Sequence, residues 1–102
     1  MRSAAVAVWH DGKLLKVRHS YRRGWSLPGG AVRRGEDPRF AACREVGEEV
    51  GLNLQPDDLI LITNNRFGSH QHHHVYEYWL AESPQIKINN WEIVEARFHN
   101  PR

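Results

Sequence analysis

The stretch from Asp37 to Gly51 does most to limit what this chain of 102 residues can become. It carries helical punctuation at both ends. Asp37 is a good N-cap, and Pro38 suits the first helical position. Gly51 is a natural left-handed stop, so a helix is expected from Pro38 to about Val50. At about 100° per residue, Phe40, Cys43, Val46 and Val50 form one apolar stripe, expected to face the core. Glu45, Glu48 and Glu49 then fall on the opposite face, one turn apart. Like charges at that spacing cost an isolated helix a few tenths of a kcal/mol each. A cation or basic groups among them remove that cost, and hard divalent ions such as Mg²⁺ or Mn²⁺ take oxygen ligands. A plainly solvated acidic face is the other reading of the same residues.

The rest of the chain reads as strands and turns. Ser3 to Trp9 and Leu14 to His19 are strands joined by an Asp11-Gly12 hairpin turn. Trp25 to Leu27 is a short extended piece broken by Pro28-Gly29-Gly30, where backbone can come close to a neighbour. Asp58 to Arg66, His72 to Glu82 and Ile93 to Phe98 complete the strands. Strands with one helix among them make an α+β domain with a mixed sheet, one face covered and the other open. The length allows one domain, residues 1–102.

Charge is divided along the chain, although the net value is only +2. Up to Arg44 there are 10 Lys/Arg against 3 Asp/Glu; from Glu45 onward there are 4 against 9. A basic half can meet phosphates and an acidic half cations, and the same division also reads as solvated surface whose charges cancel in three dimensions. No apolar run approaches the ~20 residues that span a bilayer, so no membrane partner is expected. Met1 to Trp9 lacks the pattern of a signal peptide. Cys43 is the single cysteine, which leaves no intrachain disulfide and makes a reducing, cytoplasmic setting the expectation. Cys43 sits on the apolar stripe, where packing is expected over reactivity. His70 and His72 to His74 form a cluster, but a strand turns His73 away from His72 and His74, and zinc is not expected there. Trp9, Trp79 and Trp91 are expected in core or edge packing.

From Gly30 to Leu52 the chain reads GAVRRGEDPRFAACREVGEEVGL. This resembles the Nudix box, Gly-x5-Glu-x7-Arg-Glu-U-x-Glu-Glu-x-Gly-U with U a bulky aliphatic, at Gly30, Glu36, Arg44, Glu45, Val46, Glu48, Glu49, Gly51 and Leu52. The flank Trp25-Ser26-Leu27-Pro28-Gly29-Gly30 resembles the usual entry to that box. Glu92 to Phe98 resembles a strand late in many family members.

The resemblance implies a mixed β-sheet in an α/β/α sandwich, here without its C-terminal closing helix. The chain is therefore expected to be the ordered part of a longer polypeptide, with a partner subunit as another way to cover the open face, since many relatives dimerise. It also implies a MutT-like hydrolase. Water attacks phosphorus in the pyrophosphate of a nucleoside diphosphate linked to another moiety, with Mg²⁺ or Mn²⁺ as cofactor. ADP-ribose-like, dinucleotide and (d)NTP substrates are the candidates. Glu45, Glu48 and Glu49 would be metal ligands with the Gly30 carbonyl, and Arg44 and Glu36 would orient them. The catalytic set is Glu45, Glu48 and Glu92, with Glu92 ahead of Glu95 as a base from outside the box. Arg18, Arg22 and Arg23 would grip phosphate, because guanidinium binds it bidentately. Trp25 would stack on a base or ribose. Arg33 and Arg34 are further loop arginines near the box. Gly47 departs from the usual helix former at its position, at about 1 kcal/mol relative to alanine, and close packing on the sheet is the expected reason. A non-catalytic nucleotide sensor is the alternative function. No nucleic-acid-binding signature is present, so nucleic acid is not expected as a partner.

Overall fold

Asp11 and Gly12 turn the first hairpin with φ of 51° and 72°, the positive values such a turn requires. They join β1 (Arg2–His10) to β2 (Lys13–His19). In the computed structural model, which describes residues 2–67, 71–89 and 91–101, these strands pair directly only at Trp9↔Leu14 and His10↔Lys13. Beyond that they part, and two short strands enter between them. β3 (Trp25–Ser26) pairs β2, and β4 (Gly29–Ala31) pairs β1. Pro28 links the two, its carbonyl accepting the Val6 N–H at 3.0 Å.

The remaining strands are β5 (Ile60–Phe67), β6 (Gln71–Trp79) and β7 (Ile93–His99). β6 runs parallel to β1 from Arg2↔His72 to Trp9↔Trp79, and β5 and β7 pair antiparallel with β6 and β2. The mixed sheet runs β3-β2-β1-β6-β5, with β4 beside β1 and β7 beside β2. One helix, α1 (Pro38–Val50), lies on one face. Asp37 Oδ1 accepts the Arg39 N–H at 2.8 Å, and Gly51 takes φ 74° at the other end. The core joins Ala4, Val6 and Val8 of β1, Leu15 and Val17 of β2, and Ala41, Ala42, Val46 and Val50 of α1. No helix among the described residues is long and apolar enough to cross a membrane.

The helix is rotated from the expected setting. Phe40 is 60% exposed, while Ala41, Ala42 and Glu49 are buried with Val46 and Val50. The carboxylates therefore do not share a solvent face. Glu49 points inward, Glu45 is mostly covered, and Glu48 is half exposed. The cause lies in β4, whose glycines leave room beneath the helix for alanines and acid side chains. Gly47 is exposed on the outer side, so close packing on the sheet does not explain it. Trp9 and Trp79 stack at 5.3 Å, but Trp91 is 90% exposed and not in packing.

Two strand limits also differ. A 3-10 turn at Pro56–Asp58 delays β5 to Ile60. β6 ends at Trp79 rather than Glu82 because the chain then leaves the sheet to clamp the helix. Lys87 N–H donates to the Val50 carbonyl at 2.9 Å and Asn89 N–H to the Glu49 carbonyl at 3.0 Å. Ile86 and Ile88 pack against the core from that clamp.

Candidate functional site

The site begins where α1 crosses β4. A Cβ on Gly30 would overlap the Glu45 carboxylate, and a Cβ on Gly29 would overlap the Ala4 carbonyl and stand 2.6 Å from Ala5 Cα. Bare backbone at Gly29 lets β4 lie close against β1, and at Gly30 it leaves room for the Glu45 carboxylate. Glu49 uses the approach: its Oε1 accepts the Gly29 N–H at 3.1 Å. Its other oxygen lies 3.7 Å from His19 Nε2, both side chains being 2% exposed. Burial pushes the Glu49 carboxyl up to about 8; the charges of Glu45 and Glu92 add to this, while the Gly29 N–H and Arg22 oppose it. Burial, then Glu48, also raises Glu45 against the pull of Arg44.

Arg44 holds the outer part together. Its Nε and Nη2 donate to the two oxygens of Glu36, each at 2.9 Å. Nη1 donates to Glu45 at 3.0 Å and Glu48 at 2.8 Å, and Nη2 also reaches the Ala31 carbonyl at 3.0 Å. Glu36 is held down to about 2, first by Arg44 and then by the Arg33 N–H. The same bonds hold the Arg44 guanidinium charged. Glu36 and Arg44 thus form one rigid bracket with Glu45 and Glu48.

Glu92 arrives through the clamp. Ser20 N–H donates to the Glu92 carbonyl at 2.7 Å, and the Glu92 charge is felt at Glu45, Glu49 and His19. Glu95 instead pairs with Arg97 at 2.8 Å and Arg18 at 3.5 Å.

Two clefts meet beside the carboxylates, and Arg22 lines both. One, of about 490 Å³, has Gly29, Gly30, Ala31, Ser3, Tyr21 and His73 in its wall. The other, of about 630 Å³, is lined by Arg18, His19, Ser20, Arg22, Arg23 and Gly24. Trp25 lines neither; it sits edge-on to His99 at 4.5 Å with Arg18 over its ring at 5.8 Å. Arg33 and Arg34 are exposed and line neither cleft.

His19 was not foreseen. It lies on β2 in line with buried Leu15 and Val17, and that two-residue step was the signal that could have found it. Burial and then Arg22 lower its pKa, favouring the neutral imidazole. The other histidines do not converge. His73 bonds Ser3, His72 bonds Asn64, and His74 stacks on His72 at 4.5 Å with Nε2 buried and unpaired. His70 lies outside the described residues. Burial raises the half-buried Cys43 thiol, which disfavours the reactive thiolate.

Among the described residues, no three His, Cys, Asp or Glu side chains form a ready-made metal cage. The donor chemistry nonetheless fits a hard cation. Glu45 and Glu49 offer oxygens beside the bare backbone of Gly30 and Gly29, and buried carboxylates of raised pKa gain most from a cation.

Comparison with known proteins shows the family and the fold. The NUDIX domain family model matches residues 1–102. A "MutT-like protein" of Streptomyces ambofaciens is 39% identical over 62 residues, 61% of this chain and 40% of that protein. An RNA pyrophosphohydrolase of Roseobacter denitrificans is 44% identical over 41 residues, 40% of this chain and 26% of that protein. The matched part therefore spans less than half the length of these curated relatives. Among solved structures, a bifunctional NMN adenylyltransferase/ADP ribose pyrophosphatase from Francisella tularensis, complexed with AMP and Mn ion, superposes with TM-score 0.74 at 20% identity. It covers 95% of this chain and 33% of that one.

Proposed function

The chain belongs to the NUDIX family, and on that premise we propose that it is a divalent-metal-dependent pyrophosphohydrolase of nucleoside diphosphates linked to another moiety. The observation that carries the reading is the turning of Glu45 and Glu49 onto the glycine strand β4, beside a cleft that Arg22 also lines. Such a pair, partly or wholly removed from water, has little structural use without a cation.

Glu45, Glu49 and the Gly30 carbonyl would hold Mg²⁺ or Mn²⁺, with Glu48 at the open edge. A bound divalent ion neutralises phosphate charge and lowers the pKa of water. The chain's own residues do the rest. Arg44 and Glu36 orient Glu45 and Glu48. Arg22 holds a phosphate oxygen at the junction of the clefts. Glu92 takes the proton from the attacking water, because it reaches the carboxylates from outside the bracket and no ion pair ties it down among the described residues; Glu45 is the other candidate. Arg18 and Arg23 attract the anion along the neighbouring groove. Trp25 serves by supporting the Arg18 guanidinium.

The test is hydrolysis with Mg²⁺ of a panel holding ADP-ribose, dinucleoside polyphosphates, NADH, nucleotide sugars and (d)NTPs. Glu45→Gln, Glu48→Gln and Glu92→Gln are run beside the parent chain. Turnover should fall by at least about 100-fold in Glu45→Gln, within the range for removing a group that acts in the transition state. Unchanged turnover in Glu48→Gln and Glu45→Gln sinks the metal assignment. Nucleotide binding with no turnover of any panel member moves the reading to a sensor.

A further inference from the structure

The hydrolase reading needs one arginine at the scissile linkage, yet a second cleft holds more. Arg18, Arg22 and Arg23 all line the groove of about 630 Å³ that opens from Arg22 away from β4. Arg23 has no acidic partner among the described residues. Arg22 faces the Tyr21 ring at 5.7 Å and His19 Nδ1 at 3.4 Å, and its charge also acts on the Glu49 carboxyl. Arg18 shares Glu95 with Arg97, and Arg97 is the closer at 2.8 Å against 3.5 Å. Glu92 acts on His19 from one side, and Glu49 lies 3.7 Å from it on the other. The groove wall itself carries three arginines and no acidic side chain.

Its lining also favours an anion over a neutral sugar. Sugar hydroxyls need acceptors as well as donors, and no carboxylate or amide side chain lines this groove; Ser20 alone brings a hydroxyl. Guanidinium offers donors only. Additional phosphate matches the fork geometry, the charge and the donor excess together.

We infer that the preferred substrate carries phosphate beyond the linkage that is cut, as a nucleoside triphosphate or a longer polyphosphate does, and that Arg23 and Arg18 hold it in this groove. The inference rests on the hydrolase reading for its catalytic consequence, but the groove can be tested without turnover. A sugar or ribose diphosphate carries no such additional phosphate for the groove to hold.

Calorimetry in metal-free buffer with inorganic tripolyphosphate and pyrophosphate is the direct test. The parent chain should bind tripolyphosphate at least about tenfold more tightly, the weight of one charge-assisted contact. Arg23→Ala should erase most of that ratio, and Arg18→Ala part of it; both sites are exposed, so both variants should fold. In turnover with Mg²⁺, Arg23→Ala should lower the kcat/KM ratio of nucleoside triphosphate to nucleotide sugar about tenfold. Equal affinity for the two anions, or an Arg23→Ala variant that weakens both by one factor, overturns the inference. A persisting tripolyphosphate preference with no hydrolysis of any nucleotide overturns the hydrolase reading and leaves the groove assignment standing.

Discussion

Glu49 shows how one residue can change meaning between sequence and fold. On the helix it is one of three acids; in the molecule it is buried against Gly29 and His19. A carboxyl raised from 4.5 to about 8 keeps its proton in the folded state where the unfolded chain has lost it. Metal-free stability should therefore fall as pH rises from the unfolded value through about 8. His19, with its lowered pKa, acts in the opposite sense only below its usual 6.5. Thermal melts between pH 7 and 8.5 isolate Glu49: the parent Tm should drop across that window, and Glu49→Gln should stay flatter. Parallel curves would remove Glu49 as the cause. The adjacent glycines should separate in the same way. Gly29→Ala meets backbone at Ala4 and Ala5 and should cost about 1–3 kcal/mol in denaturant unfolding. Gly30→Ala meets only the movable end of Glu45. It should leave Tm nearly unchanged while weakening Mg²⁺ binding by roughly 10–100-fold, as disturbed support of a metal ligand does.

At the level of the element, α1 was legible in its limits and not in its rotation. Asp37, Pro38 and Gly51 act locally, through caps and a positive φ, so they could be read from neighbours in the chain. Which side faced inward depended on β4, a strand with two glycines that the helix reaches only after folding. The apolar stripe through Phe40 misled because two alanines, Ala41 and Ala42, pack closer to the sheet than Phe40 could. Gly47 is the residue at which this helix is weakest. Its position is exposed, and an added Cβ would meet only the Leu52 carbonyl at 3.5 Å, an ordinary contact. Gly47→Ala should therefore stabilise the chain by about 1 kcal/mol, a rise of about 4–8 °C in Tm for a domain of this size. A neutral or destabilising result would mean that the bare backbone at Gly47 has a partner.

For the molecule as a whole, the divided charge of the sequence turns out to be interleaved. Arg44 stands among Glu36, Glu45 and Glu48, and Arg18 reaches across to Glu95 on β7. Two local features stand out among the described residues: the three arginines of the groove and the buried Glu49. A ligand bound only by the folded state stabilises it by about 2.7 kcal/mol at 100 times its Kd. Mg²⁺ should thus raise Tm. The rise should be larger at pH 8.5 than at pH 7, because the cation competes with the Glu49 proton. Differential scanning fluorimetry with and without Mg²⁺ at both pH values measures this; a rise of the same size in Glu49→Gln would place the ion elsewhere.

The sequence alone determined the hairpin at Asp11-Gly12, the caps of α1, the mixed α+β class and the nine spaced positions of the box. All are short-range patterns, written in residues whose conformational preferences act within a few positions. Only the tertiary structure decided that Glu49 is buried, that His19 backs it, and that the Glu92 charge acts on Glu45 and Glu49 while Glu95 pairs with arginines. It also decided that Trp25 lies under Arg18 and lines neither of the two clefts, and that Arg22 lines both. Each of these depends on segments far apart in the chain, brought together by the clamp of Lys87 and Asn89 on the helix and by the close approach at Gly29 and Gly30. Burial and charge are properties of such meetings, and no single stretch of sequence contains them.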